Sequence, residues 1–409
     1  MKKISLQLPT GEWDDLRTKY APDDNRLVDQ NAFTEGTKNI DTETDGTIRK
    51  MKGGTQFYTL TDANKDQFEA IFADGTRHLL TVNAGDLRFT AGLAASTSVT
   101  SGFSAAANFE FATTQDRVYF GNSVNTNQVY DKTASYGGVG YSVPQTKDMG
   151  ATVPSSAPTA ALGAASSVPA GGHTYKITYL YYEFEESNGS AASNLVTVTG
   201  ANEQVDLTAI PIGGYGVTDR KIYRDDNDGV YILVGQLSDN TTTTFSDTSA
   251  SGTTPIPTDN GTAPTFGLVK LFLDRLWFAK ISGEPFTIYF SEAGFPDIVQ
   301  STNFIDGNPE DPMTALFVYR GRLVIFNRRS MGQILGQTKD SFRYDSIEGS
   351  IGCVDNRSIQ EIVLQGVPIL VWLSDKGFYG FNGSSIFYLS DSIEDLVNVN
   401  IQQAVVQKN

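Results

Sequence analysis

Short runs of alternating apolar and polar residues, separated by clusters of Gly, Asn, Asp and Ser, recur along the whole 409-residue chain. A period of two places successive side chains on opposite faces of a strand. The 3.6-residue period of an amphipathic helix almost nowhere persists for three turns, so the pattern predicts an all-β fold. The exception is Leu396 to Val406, whose apolar spacing suits a terminal helix while Asn398, Asn400 and Gln402 suit an extended tail.

The strands form a repeat. One unit runs from Phe68 through an Asp74-Gly75 turn to Val82, with a third strand near Asp86 to Phe89. The same grammar returns at Phe109 to Phe120 with Asn127 to Tyr130, and at Leu268 to Ala279 with Phe286 to Phe290. It recurs at Ala315 to Phe326 with Gly332 to Leu335, and at Ile362 to Leu373 with Gly377 to Phe381. Arg77 and Arg117 lie 40 residues apart and Arg275 and Arg322 lie 47 apart, but 158 residues separate Arg117 from Arg275. Units of about 40 to 50 residues with about four strands each are the spacing of β-propeller blades. The sequence therefore predicts a propeller-like repeat of about five to seven blades, against the plainer alternative of hairpins in a sandwich or irregular sheet.

The long interval predicts an inserted domain. Thr146 to Val168 and Ser249 to Pro264 have the Ala, Ser, Gly, Thr and Pro content of linkers. Between them lie strands at Thr174 to Phe184, Leu195 to Thr199, Gln204 to Leu207, Arg220 to Arg224, Tyr231 to Leu237 and Thr243 to Ser246. Such a series reads as an immunoglobulin- or fibronectin-like sandwich. The expected division is 1–151 for the N-terminal segment and first blades, 152–257 for the insertion, 258–390 for the remaining blades and 391–409 for a tail. Linker-like flanks predict that the insertion folds alone, outside the blades, and is dispensable to them.

Composition narrows the function. Lys and Arg number 31 against 47 Asp and Glu, a formal charge of -16, which disfavours ordinary nucleic-acid binding. The 24 Phe and 18 Tyr favour strands. Cys353 is the single cysteine, and His78 and His173 are the two histidines, so intramolecular disulfides and metal centres rich in Cys or His are excluded. No apolar run approaches the ~18 residues of a membrane-spanning helix, and Met1 to Gly11 lacks a signal-peptide core; both point to synthesis and assembly in a cytoplasm.

Several groups invite a chemical reading and each has a plainer one. Asp225 to Gly229 has the alternate carboxylates of a calcium loop but no Glu at its twelfth position, so a hairpin tip is expected. Ser374 to Gly377 resembles part of an Asp-box, yet lacks that motif's aromatic and reads as a tight turn. Glu183, Glu185 and Glu186 offer paired carboxylates for glycoside hydrolysis. Alternation instead puts Glu183 and Glu185 together on the solvent face of a strand. His78 and His173 have no nucleophile in a recognisable motif. Asn188, Asn240 and Asn260 begin glycosylation-type triplets but read as turns. The expectation is no catalytic residues, no cofactor site, no metal site and no enzyme activity.

Two stretches resemble known families. Pro169 to Tyr179, Glu186 to Asn194, Val217 to Asp225 and Leu233 to Asp247 are similar to fibronectin-type modules of bacteriophage structural proteins. Tyr20 to Phe33, including Asp29-Gln-Asn31, and Asp45 to Gly54 resemble the start of podovirus tail nozzle, or tubular tail, proteins. The resemblance implies a virion tail subunit forming a ring, with six copies expected, beneath portal and adaptor proteins and beside tail fibres. DNA would pass through its channel without specific binding, along a lining that is acidic or neutral rather than built from residues such as Arg328, Arg329 and Lys339. The alternative is a tail-tip adhesin or fibre-attachment protein that binds host-surface glycan; a phage propeller hydrolase is disfavoured by the missing motifs.

Overall fold

The computed structural model describes residues 40–42, 48–50, 64–92, 96–199, 203–250, 252–364 and 366–390. The chain divides into two compact units, Met1–Thr59 and Leu60–Asn409. In the first, Ile40–Thr42 and Ile48–Lys50 form an antiparallel pair with Ile40 opposite Lys50. The nozzle-like stretch from Tyr20 to Phe33, all of Asp45 to Gly54 except 48–50, and the Leu396 to Val406 segment lie outside the described residues.

The second unit is all-β. Apart from two short 3-10 turns at Lys339–Ser341 and Asn356–Ser358, its described regular elements are strands. Among the described residues, five four-stranded antiparallel sheets occur in chain order. The first comprises Asn64–Ile71, Arg77–Asn83, Asp86–Ala91 and Thr97–Thr100; the second Glu110–Thr114, Arg117–Gly121, Gln128–Asp131 and Gln145–Asp148. The third comprises Leu268–Phe272, Arg275–Ala279, Thr287–Phe290 and Phe304–Asp306; the fourth Met313–Tyr319, Arg322–Asn327, Met331–Leu335 and Arg343–Glu348. Gln360–Leu364, Val367–Ser374, Gly377–Phe381 and Ile386–Tyr388 make the fifth. In every sheet, strands adjacent in sequence are adjacent in space.

The marker arginines have a structural position: Arg77, Arg117, Arg275 and Arg322 each open the second strand of a sheet. Three of the preceding turns, Gln115-Asp116, Leu273-Asp274 and Arg320-Gly321, hold both central residues at positive φ, between 49° and 70°. That conformation matches the right-handed twist of a tight hairpin.

The second strands also explain why the repeat is visible. Val118 and Phe120 pack toward the first sheet, in a cluster with Leu80 and Leu87. Tyr119, between them, points the other way and meets Leu276 and Phe278 of the third sheet. Trp277 and Ala279 in turn face Leu323 and Ile325, and Val324 and Phe326 face Leu370 and Trp372. A strand covered on both faces needs an unbroken apolar run, not alternation. Each successive pair of sheets thus shares one apolar cluster.

Between the second and third sheets the chain forms two further sheets. Thr159–Val168, Glu203–Thr208 and Phe245–Asp247 make one; Gly171–Tyr181, Val217–Asp225 and Tyr231–Leu237, with the short Glu185–Glu186 and Val196–Val198, make the other. Ala160, Val205 and Leu207 of the first meet Tyr175, Ile177 and Ile222 of the second in one core. The linker reading of Thr146 to Val168 is corrected here: Gln145–Asp148 completes the second sheet and Thr159–Val168 pairs with Glu203–Thr208. The intervening segment does not hang free. A small hairpin, Ser135–Tyr136 with Val139–Gly140, reaches from the second sheet into it, and Ala151, Tyr179, Tyr181, Tyr182, Val217 and Ile298 form a shared buried cluster.

Candidate functional site

The residues that invited a chemical reading are occupied in structural roles. His78 is buried with Nδ1 2.7 Å from the Tyr130 hydroxyl, and burial lowers its pKa, favouring the neutral ring. His173 is also buried, with Nδ1 2.8 Å from Asp226 Oδ1 and Nε2 2.9 Å from the Pro169 carbonyl. The Asp225 carboxylate accepts the Asp228 and Gly229 amides at 2.9 and 3.0 Å, as a hairpin tip requires. Asp375-Lys376 is a two-residue turn closed by the Ser374–Gly377 pair. Cys353 is buried, which pushes its thiol pKa up, and its Sγ donates to the Asp355 carbonyl. Asn188 and Asn260 bond each other, at 3.2 Å from Nδ2 to O and 2.9 Å from N to Oδ1. Asn240 is fully buried and bonds both backbone groups of Gly213.

Two places gather polar chemistry. The first lies where the first strands of the second, third and fourth sheets run side by side. A cleft of 310 Å³ opens there, lined by Glu110, Leu268, Met313 and Thr314 of those strands and by Val354 to Arg357 ahead of the fifth sheet. Its charges are largely matched. Glu110 receives Lys270 Nζ at 2.5 Å and Asn356 Nδ2 at 2.9 Å. Arg357 pairs with Asp66, whose other oxygen accepts the Phe109 amide at 2.8 Å. These contacts bind the approach to the fifth sheet back to the first and second.

The second place is the seam between the intervening segment and the second and third sheets. Tyr182 and Glu183 take positive φ, 54° and 76°, turning the chain between Gly171–Tyr181 and Glu185–Glu186. The turn breaks alternation: Glu183 is exposed while Glu185 is fully buried, which corrects the solvent-face reading of the pair. Glu186 faces another way and joins Thr178, Lys221 and Tyr223.

Around Glu185 stand Asp297, wholly buried on the loop between the third and fourth strands of the third sheet, and Arg117, only 5% exposed. The Arg117 guanidinium lies 3.5 Å from the Tyr182 ring centre and donates to the Tyr119 hydroxyl at 3.1 Å and Gln115 Oε1 at 2.7 Å. Asp297 Oδ1 accepts the Gly150 amide at 2.8 Å, and Oδ2 lies 3.4 Å from Lys147 Nζ. Burial first, and the Asp297 carboxylate second, hold the Glu185 pKa well above the usual carboxylate range, against the opposing pull of Arg117. Burial likewise raises Tyr119 and Tyr182. Tyr136 packs edge-on to both Tyr182 and Tyr215, and the Tyr215 hydroxyl donates to the Thr133 carbonyl at 2.8 Å.

Sequence reasoning used Arg117 only as a repeat marker and did not single out Lys147, Tyr182 or Asp297. They come from remote parts of the chain with no spacing to connect them. Glu185, Asp297 and Arg117 are buried, and the arrangement chemically suits a proton held inside an interface.

No family model matches the chain, and no curated protein does. Solved structures to which it is similar include Hsv2 of Kluyveromyces lactis, at 8% identity and a TM-score of 0.21 over 77% of this chain and 91% of that one. The AfRom2 CNH domain is similar at 10% identity and TM-score 0.20, over 78% and 94% of the two chains. AztD of Citrobacter koseri matches at 10% identity and TM-score 0.22, over 78% and 86%. At such scores these likenesses carry nothing about what the chain binds or does.

Proposed function

We propose that the chain is a structural subunit of a bacteriophage tail: a propeller-like body of about five to seven blades with a fibronectin-like insertion, which assembles into a ring that conducts DNA during ejection. The observation that carries the reading is the burial of Arg117–Gly121 and Arg275–Ala279 on both faces. Blades packed radially need that arrangement, because one blade cannot cover its own faces. Two sheets around a single core in the intervening segment support the fibronectin-like module. The opening residues, similar to those of tail nozzle proteins, supply the tail assignment, and a charge of -16 suits a wall past which phosphates slide. A heterologous interface whose rotation closes gives a cyclic ring, with six copies expected.

Images of the purified full-length protein, alone and with portal and adaptor proteins, test this. Rings with a central channel support it. Separate particles in both samples that bind host-surface glycan instead support an adhesin, and tight, salt-sensitive binding of duplex DNA argues against a non-gripping channel.

A further inference from the structure

Glu185 is the buried acid that the structural role does not explain. Its Oε2 has no hydrogen-bond partner, and Oε1 meets only the Asp297 amide, at 3.4 Å. Neither neighbouring cation donates to it. Arg117 gives its hydrogen bonds to Tyr119 and Gln115, and Lys147 gives its own to the Asp148 and Gly150 carbonyls at 2.9 and 3.0 Å. A carboxylate stripped of water and left without donors is costly, whereas a neutral carboxyl can donate its proton to the adjacent Asp297 carboxylate. The Asp297 carboxylate is itself held by the Gly150 amide and Lys147. The groups facing the pair are therefore Arg117, Tyr119 and Lys147 from the second sheet and Tyr181 and Tyr182 from the intervening segment.

We propose that Glu185 and Asp297 form a proton-operated latch, one proton shared between two carboxylates, that clamps the intervening segment to the second and third sheets and releases it when the proton is lost. The acid sits on one side of the seam and its partner on the other, so the proton is a bond across the interface. Loss of the proton places two negative charges together in a dry site, and opening the seam returns Glu185 to water. The sign follows from a folded-state pKa that is raised. The stabilisation is fully present below the unfolded carboxylate value of about 4.3 and is lost as pH rises through the folded value. The opening equilibrium then shifts by up to about tenfold per pH unit across that interval. The latch is independent of the tail assignment and goes beyond it.

Hydrogen exchange on the full-length protein, corrected for the intrinsic pH dependence of exchange, tests the latch. The reporters are the two amides that meet an acceptor across the seam, Asn240 with the Gly137 carbonyl and Asp297 with Glu185 Oε1; the Phe278 and Val324 amides, in strands of the apolar clusters, are the reference. From about pH 5 to about pH 8, protection at the reporters should fall by tenfold or more relative to the reference, and Glu185→Gln should abolish that fall. Equal pH dependence in the two proteins, or none in the wild type, overturns the proposal. The wild type alone provides a second reading should the variant not fold. Its infrared spectrum near neutral pH should contain the carbonyl band of a buried protonated carboxyl, and absence of that band overturns the latch.

Discussion

Between the second and third sheets, Tyr119, Leu276 and Phe278 meet in an apolar cluster with essentially no exposure. A short distance along the same second strand, Arg117 leaves that pattern and enters a seam of tyrosines, two carboxyls and a lysine against the intervening segment. The difference teaches how one strand serves two interfaces. Apolar clusters hold neighbouring sheets by burial, which has no direction and little dependence on pH. The tyrosine seam is held by hydrogen bonds and ring contacts between specific atoms, so it fixes an orientation and remains sensitive to protonation. Apolar contacts make the stack; polar ones set how the intervening segment sits on it.

Mutations should separate the two materials. The largest effect is expected at Trp277, fully buried in the cluster joining the third and fourth sheets, with its indole N–H donated to the Phe272 carbonyl at 2.9 Å. Trp277→Ala should cost about 3–5 kcal/mol in denaturant unfolding, with no pH dependence of the loss. In the polar seam, Arg117→Ala removes the stacking on Tyr182 and two hydrogen bonds. It should cost about 2–3 kcal/mol and loosen the Tyr182 amide more than that of Phe278 in exchange experiments.

A turn gives the next step down. Gly377 holds φ at 117°, and a Cβ there would lie 2.8 Å from Tyr388 Cε2. Gly377→Ala should cost about 1–3 kcal/mol and be confined to the fifth sheet, as read by melting and local exchange. The smallest effect is expected at Val363, 71% exposed on the first strand of the fifth sheet. Val363→Ser should change the unfolding free energy by no more than about 0.5 kcal/mol.

The same contrast explains what was legible in the sequence. Second strands such as Arg117–Gly121 and Arg322–Asn327 are covered on both faces, so their apolar runs stand out and register the five sheets. Outer strands such as Gln145–Asp148 are half-buried at most and polar, and the text of the chain there reads as loop. Thr159–Val168 is an edge strand, mostly exposed and paired on one side, so its Ala and Ser content gave the signature of a linker. The hairpin tip at Asp225 to Gly229 was readable because its side chains act on amides three and four residues away. The seam was not. Glu185 is turned inward by two positive φ angles, and its partner Asp297 lies more than a hundred residues along the chain.

The claim that the intervening segment is clamped to the sheets, rather than appended to them, is tested most directly by native-state hydrogen exchange in increasing denaturant near pH 5, where the latch is closed. The amides of Tyr179 and Ile222 in that segment and of Phe278 and Ile325 in the third and fourth sheets should merge into one unfolding isotherm, with one free energy and one denaturant dependence. A separate, lower isotherm for Tyr179 and Ile222, leaving Phe278 and Ile325 protected, would contradict it.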